Sequence, residues 1–275
     1  MSSASSALIQ TLANNGVEVI FSLSGNQIMP LYDACIDANI RIIHTRHEGA
    51  AVYMAEAYAQ LSGKLGVALV TAGPGLLNAV SALYSAARSE TPILLISGDA
   101  GLGMDGRGGF QELDQCAITA PITKHSARPL NAAAILSDLD HCISTALSGT
   151  PGPTHLALAF DLLSRTTGLD AAKQVILPPA NAMNQSDLET VIKAIDAAKH
   201  PLIMTGPQAN RTRQPTANTA LEAALGLPII CLESARGLSD SFYGDLTAAL
   251  NTFLIKYFSQ FGGKNRWKRR QIVSY

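Results

Sequence analysis

A chain of 275 residues with 47% hydrophobic and only 15% charged residues can bury a large core, and its length suits two domains, or one and part of another, at about 100–200 residues each. With 20 Lys and Arg against 21 Asp and Glu, the net charge is −1, which gives no general pull toward nucleic acid or an anionic membrane, and neither is expected as a partner. No apolar run approaches the roughly 20 residues that span a bilayer, the start Met1-Ser-Ser-Ala-Ser-Ser-Ala7 lacks the build of a signal peptide, and Cys35, Cys116, Cys142 and Cys231 show neither C-x-x-C nor zinc spacing; a cytoplasmic protein in a reducing compartment is expected.

From about Ser5 to Asp161, short apolar runs alternate with segments of helical period, the pattern of β-α units around a parallel sheet flanked by helices. The runs Val17–Leu23, Ile40–His44, Val67–Thr71, Ile93–Ser97 and His155–Phe160 predict strands. Ile28–Ala38, Ala50–Leu61, Leu76–Ser89 and Ala132–Leu147 predict helices, and Gly16 and Gly63 are placed to stop helices. The Gly-rich stretch Asp99–Asp114 interrupts this rhythm and is expected to be a mobile, functional loop.

These features define a first domain over residues 1–165 and, with Pro178-Pro179 and many small polar residues, a linker over 166–186. Residues 187–250 read as an incomplete second α/β domain: a helix Asp187–Ala198, a strand Pro201–Thr205, a helix Thr216–Leu225, a strand Leu227–Leu232 and a loop Glu233–Asp240. The composition then changes abruptly. Residues 251–275 hold six basic residues, no acid, six of the chain's aromatics and its single Trp, whereas residues 1–250 carry 14 Lys and Arg against 21 Asp and Glu. A basic arm is one reading of this tail; the favoured expectation is a frameshifted or truncated end foreign to the domain before it.

Chemistry concentrates in the first domain. Glu48 follows the run Ile40–His44 and opens the almost uncharged stretch Gly49–Ala59, which places a carboxylate at the carboxyl end of a sheet, where α/β folds build their sites. As a bare feature it could equally be a first-turn acid favoured by the helix dipole. The turn Thr71-Ala-Gly-Pro-Gly-Leu-Leu-Asn78 joins a strand to a helix, and its glycines let a ligand approach backbone N–H groups. It matches neither the P-loop nor the dinucleotide fingerprint.

Taken together, the order and spacing are specific. Arg46-His47-Glu48, Ala55-Glu56-Ala57-Tyr58, Gly66 to Gly75, Thr91-Pro92 to Gly98, Phe110-Gln111-Glu112, Pro121-Ile122-Thr123-Lys124 and Gly152-Pro153 resemble the thiamine-diphosphate enzymes of the acetolactate synthase and benzaldehyde lyase-like family, over their N-terminal, pyrimidine-binding part. The resemblance implies that Glu48 hydrogen-bonds N1′ of the thiamine diphosphate pyrimidine and so promotes loss of the thiazolium C2 proton. It further implies that Gly73, Pro74, Gly75 and Asn78 line the pyrimidine side, and that Gly25, in Ser22-Leu-Ser-Gly-Asn-Gln27, faces the site. Gln111 matches a glutamine that reaches the reacting centre in synthases; a surface glutamine on a flexible loop is the other reading. Lys124 is either near the substrate channel or solvated, His47 shapes the strand end, and His44 and His125 have no evident partner.

The family reaction joins or cleaves C–C bonds of a small 2-keto acid or aldehyde, as a transferase or a lyase. The His-His pair of several decarboxylases is missing here, and Ser24 and Gln27 stand where the benzaldehyde lyase branch has histidines. Family members also hold the diphosphate and its Mg2+ through a separate domain marked by Gly-Asp-Gly and Asn-Asn. Gly98-Asp99-Ala100 and Asn14-Asn15 do not reproduce that pair, so no metal ligand is assigned. The expectation is an N-terminal fragment, inactive alone, that partners itself in a homo-oligomer or a chain carrying the diphosphate-binding domain. A split enzyme or a non-catalytic binding module are the alternatives, and FAD is possible in the full-length family.

Overall fold

The computed structural model describes residues 3–166, 174–175, 184–199, 203–207, 220, 223–224, 226 and 229–231. The chain divides into two compact units, Met1–Gln185 and Ser186–Tyr275.

In the first unit the elements run α1 (Ala4–Asn14), β1 (Val19–Ser22), α2 (Met29–Asp37), β2 (Arg41–His44), α3 (Glu48–Ser62), β3 (Gly66–Val70), α4 (Pro74–Arg88), β4 (Ile93–Asp99), α5 (Gln115–Thr119), β5 (His125–Ala127), α6 (Ala132–Leu147), β6 (Thr154–Ala159) and α7 (Phe160–Leu163). The six strands form one sheet in the order β2-β1-β3-β4-β6-β5, and every pairing is parallel. All five predicted strands and all four predicted helices are present, with shifted ends. The sixth strand, β5, has no precursor among the apolar runs: three residues, His-Ser-Ala, carry almost no strand signal, and its pairing with β6 creates it.

Alternation along the strands assigns each side chain to a face. Ile20, Val67, Leu69, Leu94, Ile96, Leu156 and Leu158 point into a core shared with α1, α2 and α6. Val19, Phe21, Ala68, Val70, Ile93 and Leu95 point the other way, against α3 and α4. Small residues let that second layer sit low: a Cβ on Gly66 would lie 2.3 Å from the Ala55 carbonyl oxygen, so only glycine lets β3 and α3 come this close. Gly63 ends α3 in the left-handed conformation, with φ 64°, as its sequence position anticipates.

The sheet order creates a particular place. From β1 the chain passes through α2 to β2 on one side, and the next strand, β3, lies on the opposite side of β1. The crevice at the carboxyl ends of β1 and β3 is therefore the switch point of the sheet, where ligands bind in open α/β folds.

In the second unit, β7 (Ile203–Thr205) and β8 (Ile229–Cys231) pair in parallel, matching two predicted strands in their described parts. Helix α8 (Gln185–Ala197) matches the predicted helix Asp187–Ala198 with both ends shifted toward the N-terminus. Within the stretch read as a linker, the Val175 N–H donates to Asn15 Oδ1 at 2.8 Å and its side chain packs on the first core. Most of the predicted helix Thr216–Leu225, the loop Glu233–Asp240 and the tail 251–275 lie outside the described residues.

Candidate functional site

Glu48 is the first residue of α3, and the preceding residue builds that helix start. His47 is extended, at φ −157° and ψ 138°, and its Nδ1 accepts the Gly49 N–H at 3.0 Å, the work of an N-cap side chain. This occupies His47 in holding the helix end. Thr45 anchors the approach, donating to the His47 carbonyl at 3.0 Å while its N–H reaches the Ser22 carbonyl at 2.8 Å.

The Glu48 side chain is 8% exposed, and its Oε2 accepts from Asn78 Nδ2, on α4, at 3.0 Å. Gly49 permits this approach, since a Cβ there would stand 3.1 Å from the Asn78 carbonyl oxygen. Among the described residues nothing donates to Glu48 Oε1, and a Cβ on Gly75 would sit 3.5 Å from it. One carboxylate oxygen is thus fixed by the protein, and the other faces a turn kept free of side-chain bulk.

That turn is built by three glycines around Thr71. A Cβ on Gly25 would lie 2.4 Å from Thr71 Cβ, and one on Gly75 would lie 2.8 Å from Thr71 Cγ2. Gly73 has φ +53°, and a Cβ there would stand 2.9 Å from the Gln111 carbonyl oxygen. Pro74 occupies the first position of α4, where its missing N–H leaves no bond unmade. Gly25, Glu48, Gly73, Pro74, Gly75, Asn78 and Gln111 thus gather at the carboxyl ends of the central strands.

Gln111 reaches the cluster from the long loop. Its backbone is left-handed, at φ 62°, an uncommon state for a non-glycine residue and one found at functional positions. Its Oε1 accepts from Gln27 Nε2 at 2.9 Å, and Gln27 Oε1 in turn accepts from Thr71 Oγ1 at 2.7 Å. The loop expected to be mobile is internally bonded: Glu112 accepts the N–H groups of Gly106 and Gly109, which hold its carboxyl below the usual range. Arg128 joins buried Asp99, at the end of β4, to Asp105 in the loop.

Sequence reasoning missed Gln27 and Thr71 as partners in the site, although both lie in quoted motifs. The available signal was a polar residue directly after β3, Thr71, and another in the turn that follows β1, Gln27. Lys124 lies elsewhere: it precedes β5 at the amino end of the sheet, and its Nζ donates to the carbonyls of Thr145 and Ser148 that end α6. His44 finds Ser24, with Nε2 3.3 Å from its Oγ, and His125 packs edge-on against His141 at 4.4 Å between ring centroids. Among the described residues, no group of three His, Cys, Asp or Glu is placed to hold a metal, and no helix is long and apolar enough to cross a membrane.

A parallel sheet whose switch point presents a buried carboxylate beside a glycine-lined helix start defines a cofactor-binding α/β domain. Residues 2–118 match the family described as thiamine pyrophosphate enzyme, N-terminal TPP binding domain, and the chain carries that domain. It is 32% identical over 269 residues to 2-hydroxyacyl-CoA lyase 2 of Danio rerio, with 84% of this chain and 43% of that protein covered. It is 34% identical over 212 residues to the acetolactate synthase large subunit of Lactococcus lactis, covering 76% of this chain and 37% of that one. The fold matches that of the thiamine diphosphate-dependent 4-hydroxybenzoylformate decarboxylase of Rhodococcus jostii, with TM-score 0.75 and 21% identity, over 84% of this chain and 44% of the other. The chain therefore spans less than half the length of these relatives.

Proposed function

We propose that this chain supplies the pyrimidine-binding half of a thiamine-diphosphate site for 2-keto acid decarboxylation and carboligation, with Glu48 as the residue that reads the pyrimidine. The observation that carries this reading is the half-satisfied, buried Glu48 carboxylate, with Asn78 on Oε2 and Oε1 turned toward Gly75. A ring nitrogen that takes up a proton fits such an oxygen, because a charge-assisted hydrogen bond in a dry pocket is stronger than the same bond in water.

When bound, thiamine diphosphate supplies the electron sink that makes C–C bond cleavage and formation accessible. The protein's part is to orient and tune it. Asn78 fixes the Glu48 carboxylate, Gly25 and Gly75 leave room for a flat ring beside Thr71, and Gln111 stands ready to contact the second reactant. The alternative transferase and lyase outcomes share all of these residues; acetolactate synthase and 2-hydroxyacyl-CoA lyase relatives are comparably similar to the chain.

The reading assigns the diphosphate and its Mg2+ to another polypeptide segment, since Gly98-Asp99-Ala100 and Asn14-Asn15 do not reproduce the family's Gly-Asp-Gly and Asn-Asn pair. Its partner is a second copy in a homo-oligomer or a chain carrying that domain. The outer faces of α3 and α4 support an interface: Tyr53, Leu77 and Tyr84 are each about half exposed, within six residues of Glu48 or Asn78 in the chain. A cytoplasmic setting accords with Cys35, Cys116 and Cys142 being free thiols.

Calorimetric titration tests this directly. A chain that reads only the pyrimidine binds thiamine and thiamine diphosphate with equal affinity, gains nothing from Mg2+, and turns over no pyruvate alone. Glu48→Gln should weaken both ligands by roughly tenfold or more, the loss of one charged hydrogen bond at about 1.5–3 kcal/mol. A strong Mg2+-dependent preference for the diphosphate would overturn the half-site reading, and an unchanged affinity in Glu48→Gln would remove Glu48 from it.

A further inference from the structure

We infer that Gln27 is a positioning residue that sets the polarity of Gln111, making its side chain a hydrogen-bond donor toward an acceptor-only oxygen of the substrate, a carboxylate or carbonyl. The inference deepens the proposed function, because it concerns the reactant that meets the cofactor.

The argument follows the direction of three polar groups. The Thr71 hydroxyl donates to Gln27 Oε1 at 2.7 Å, so the carbonyl end of that amide is fixed toward β3. Its amino end then points the other way and donates to Gln111 Oε1 at 2.9 Å. With Oε1 engaged, Gln111 is left with Nε2 and its two N–H groups, for which no acceptor is present among the described residues. An amide has only these two ends, so fixing one decides what the other offers.

The relay is held rigidly enough to keep this sense. Gln27 is 8% exposed, and a Cβ on Gly98 of β4 would lie 2.7 Å from Gln27 Cβ, so the side chain fills the only space that glycine leaves. Thr71 is wedged between Gly25 and Gly75, and Gln111 lies in the left-handed state against Gly73. Three loops that follow β1, β3 and β4 are thereby locked to one another through side-chain amides. A 2-keto acid presents only acceptors at its carboxylate and carbonyl, which matches two free N–H groups; a protonated amine, which only donates, would not.

Side-chain amide NMR of the whole chain tests the relay without cofactor or turnover. In the wild type, the Gln27 Nε2 protons should exchange slowly and the Gln111 Nε2 protons rapidly, and pyruvate should shift the Gln111 pair. Gln27→Glu puts an acceptor-only group of the same shape between Thr71 and Gln111. The Gln111 amide must then turn to donate inward, so its exchange should slow by roughly fivefold, about one net hydrogen bond, and its response to pyruvate should vanish. Thr71→Val keeps the packing but removes the first donor, and should leave the Gln27 amide less protected. A Gln111 amide already protected in the wild type, or one that pyruvate fails to shift, would overturn the inference. Neither result touches the cofactor reading, which the same spectra test separately: thiamine should move the Asn78 side-chain amide, and an unmoved one would count against that reading.

Discussion

At the scale of single residues, the two carboxyl-end acids and the buried histidine differ in how far the protein engages their polar atoms. Among the described residues one Glu48 oxygen has no donor, whereas Asp99, 1% exposed, is engaged by the Ala100 N–H and by Arg128. His155, wholly buried in β6, has Nε2 2.8 Å from Ser97 Oγ and Nδ1 2.9 Å from both Thr119 Oγ1 and Ser126 Oγ. Burial pushes its imidazole down to about 3, against 6.5 for a free histidine. The folded chain therefore keeps this ring neutral while the unfolded chain protonates it. Stability from this group is fully present above about pH 6.5 and is lost as pH falls toward 3, at up to roughly 1.4 kcal/mol per pH unit. Urea denaturation at pH 7, 6, 5 and 4 should show His155→Gln with the flatter pH dependence. Parallel slopes for the two proteins would mean the ring does not titrate on unfolding.

At the scale of elements, the loop between β4 and α5 is governed by Glu112 and by Arg128, the second of which sequence inspection left unremarked. Arg128 sits just after β5, a strand with no periodic signal, so its reach to Asp99 and Asp105 could not be read before the sheet order was known. Glu48 was legible because its surroundings repeat a recognisable spacing, while the Gln27–Thr71 contact needed β1 and β3 to be neighbours. Removing the guanidinium strands the Asp99 carboxylate, so Arg128→Met should cost about 3 kcal/mol, the usual consequence of breaking a buried ion pair from one side. Arg128→Lys should recover only part, since an ammonium lacks the planar fork that serves Asp99 and Asp105 together. Unfolding midpoints in urea report the stability. Cleavage by trypsin after Arg107, an exposed site inside the loop, reports the tether; Glu112→Ala should accelerate that cut by freeing the Gly106 and Gly109 N–H groups. An unaltered cleavage rate would show the loop to be held by other contacts.

At the scale of the molecule, the parallel α/β architecture was evident from the alternation of apolar runs and helical periods, since strands buried on both faces leave near-continuous apolar segments. What composition could not convey was how the chain apportions its cores. Both apolar clusters, one on each face of the six-stranded sheet, draw every buried member from residues 4–163, and Val175 packs at the margin of one. Among the described residues, the burial that stabilises the sheet lies in the first unit, together with every residue of the proposed site. A polypeptide ending at Gln185 should fold cooperatively, with a urea midpoint close to that of the same transition in the 275-residue chain. It should also bind thiamine with undiminished affinity, because Gly25, Glu48, Gly75, Asn78 and Gln111 all precede that point. A fragment that binds but unfolds at much lower urea would mean that residues beyond Gln185 brace the sheet. One that folds normally but no longer binds would move part of the pyrimidine site into the second unit, and the half-site assigned to the first would have to be redrawn.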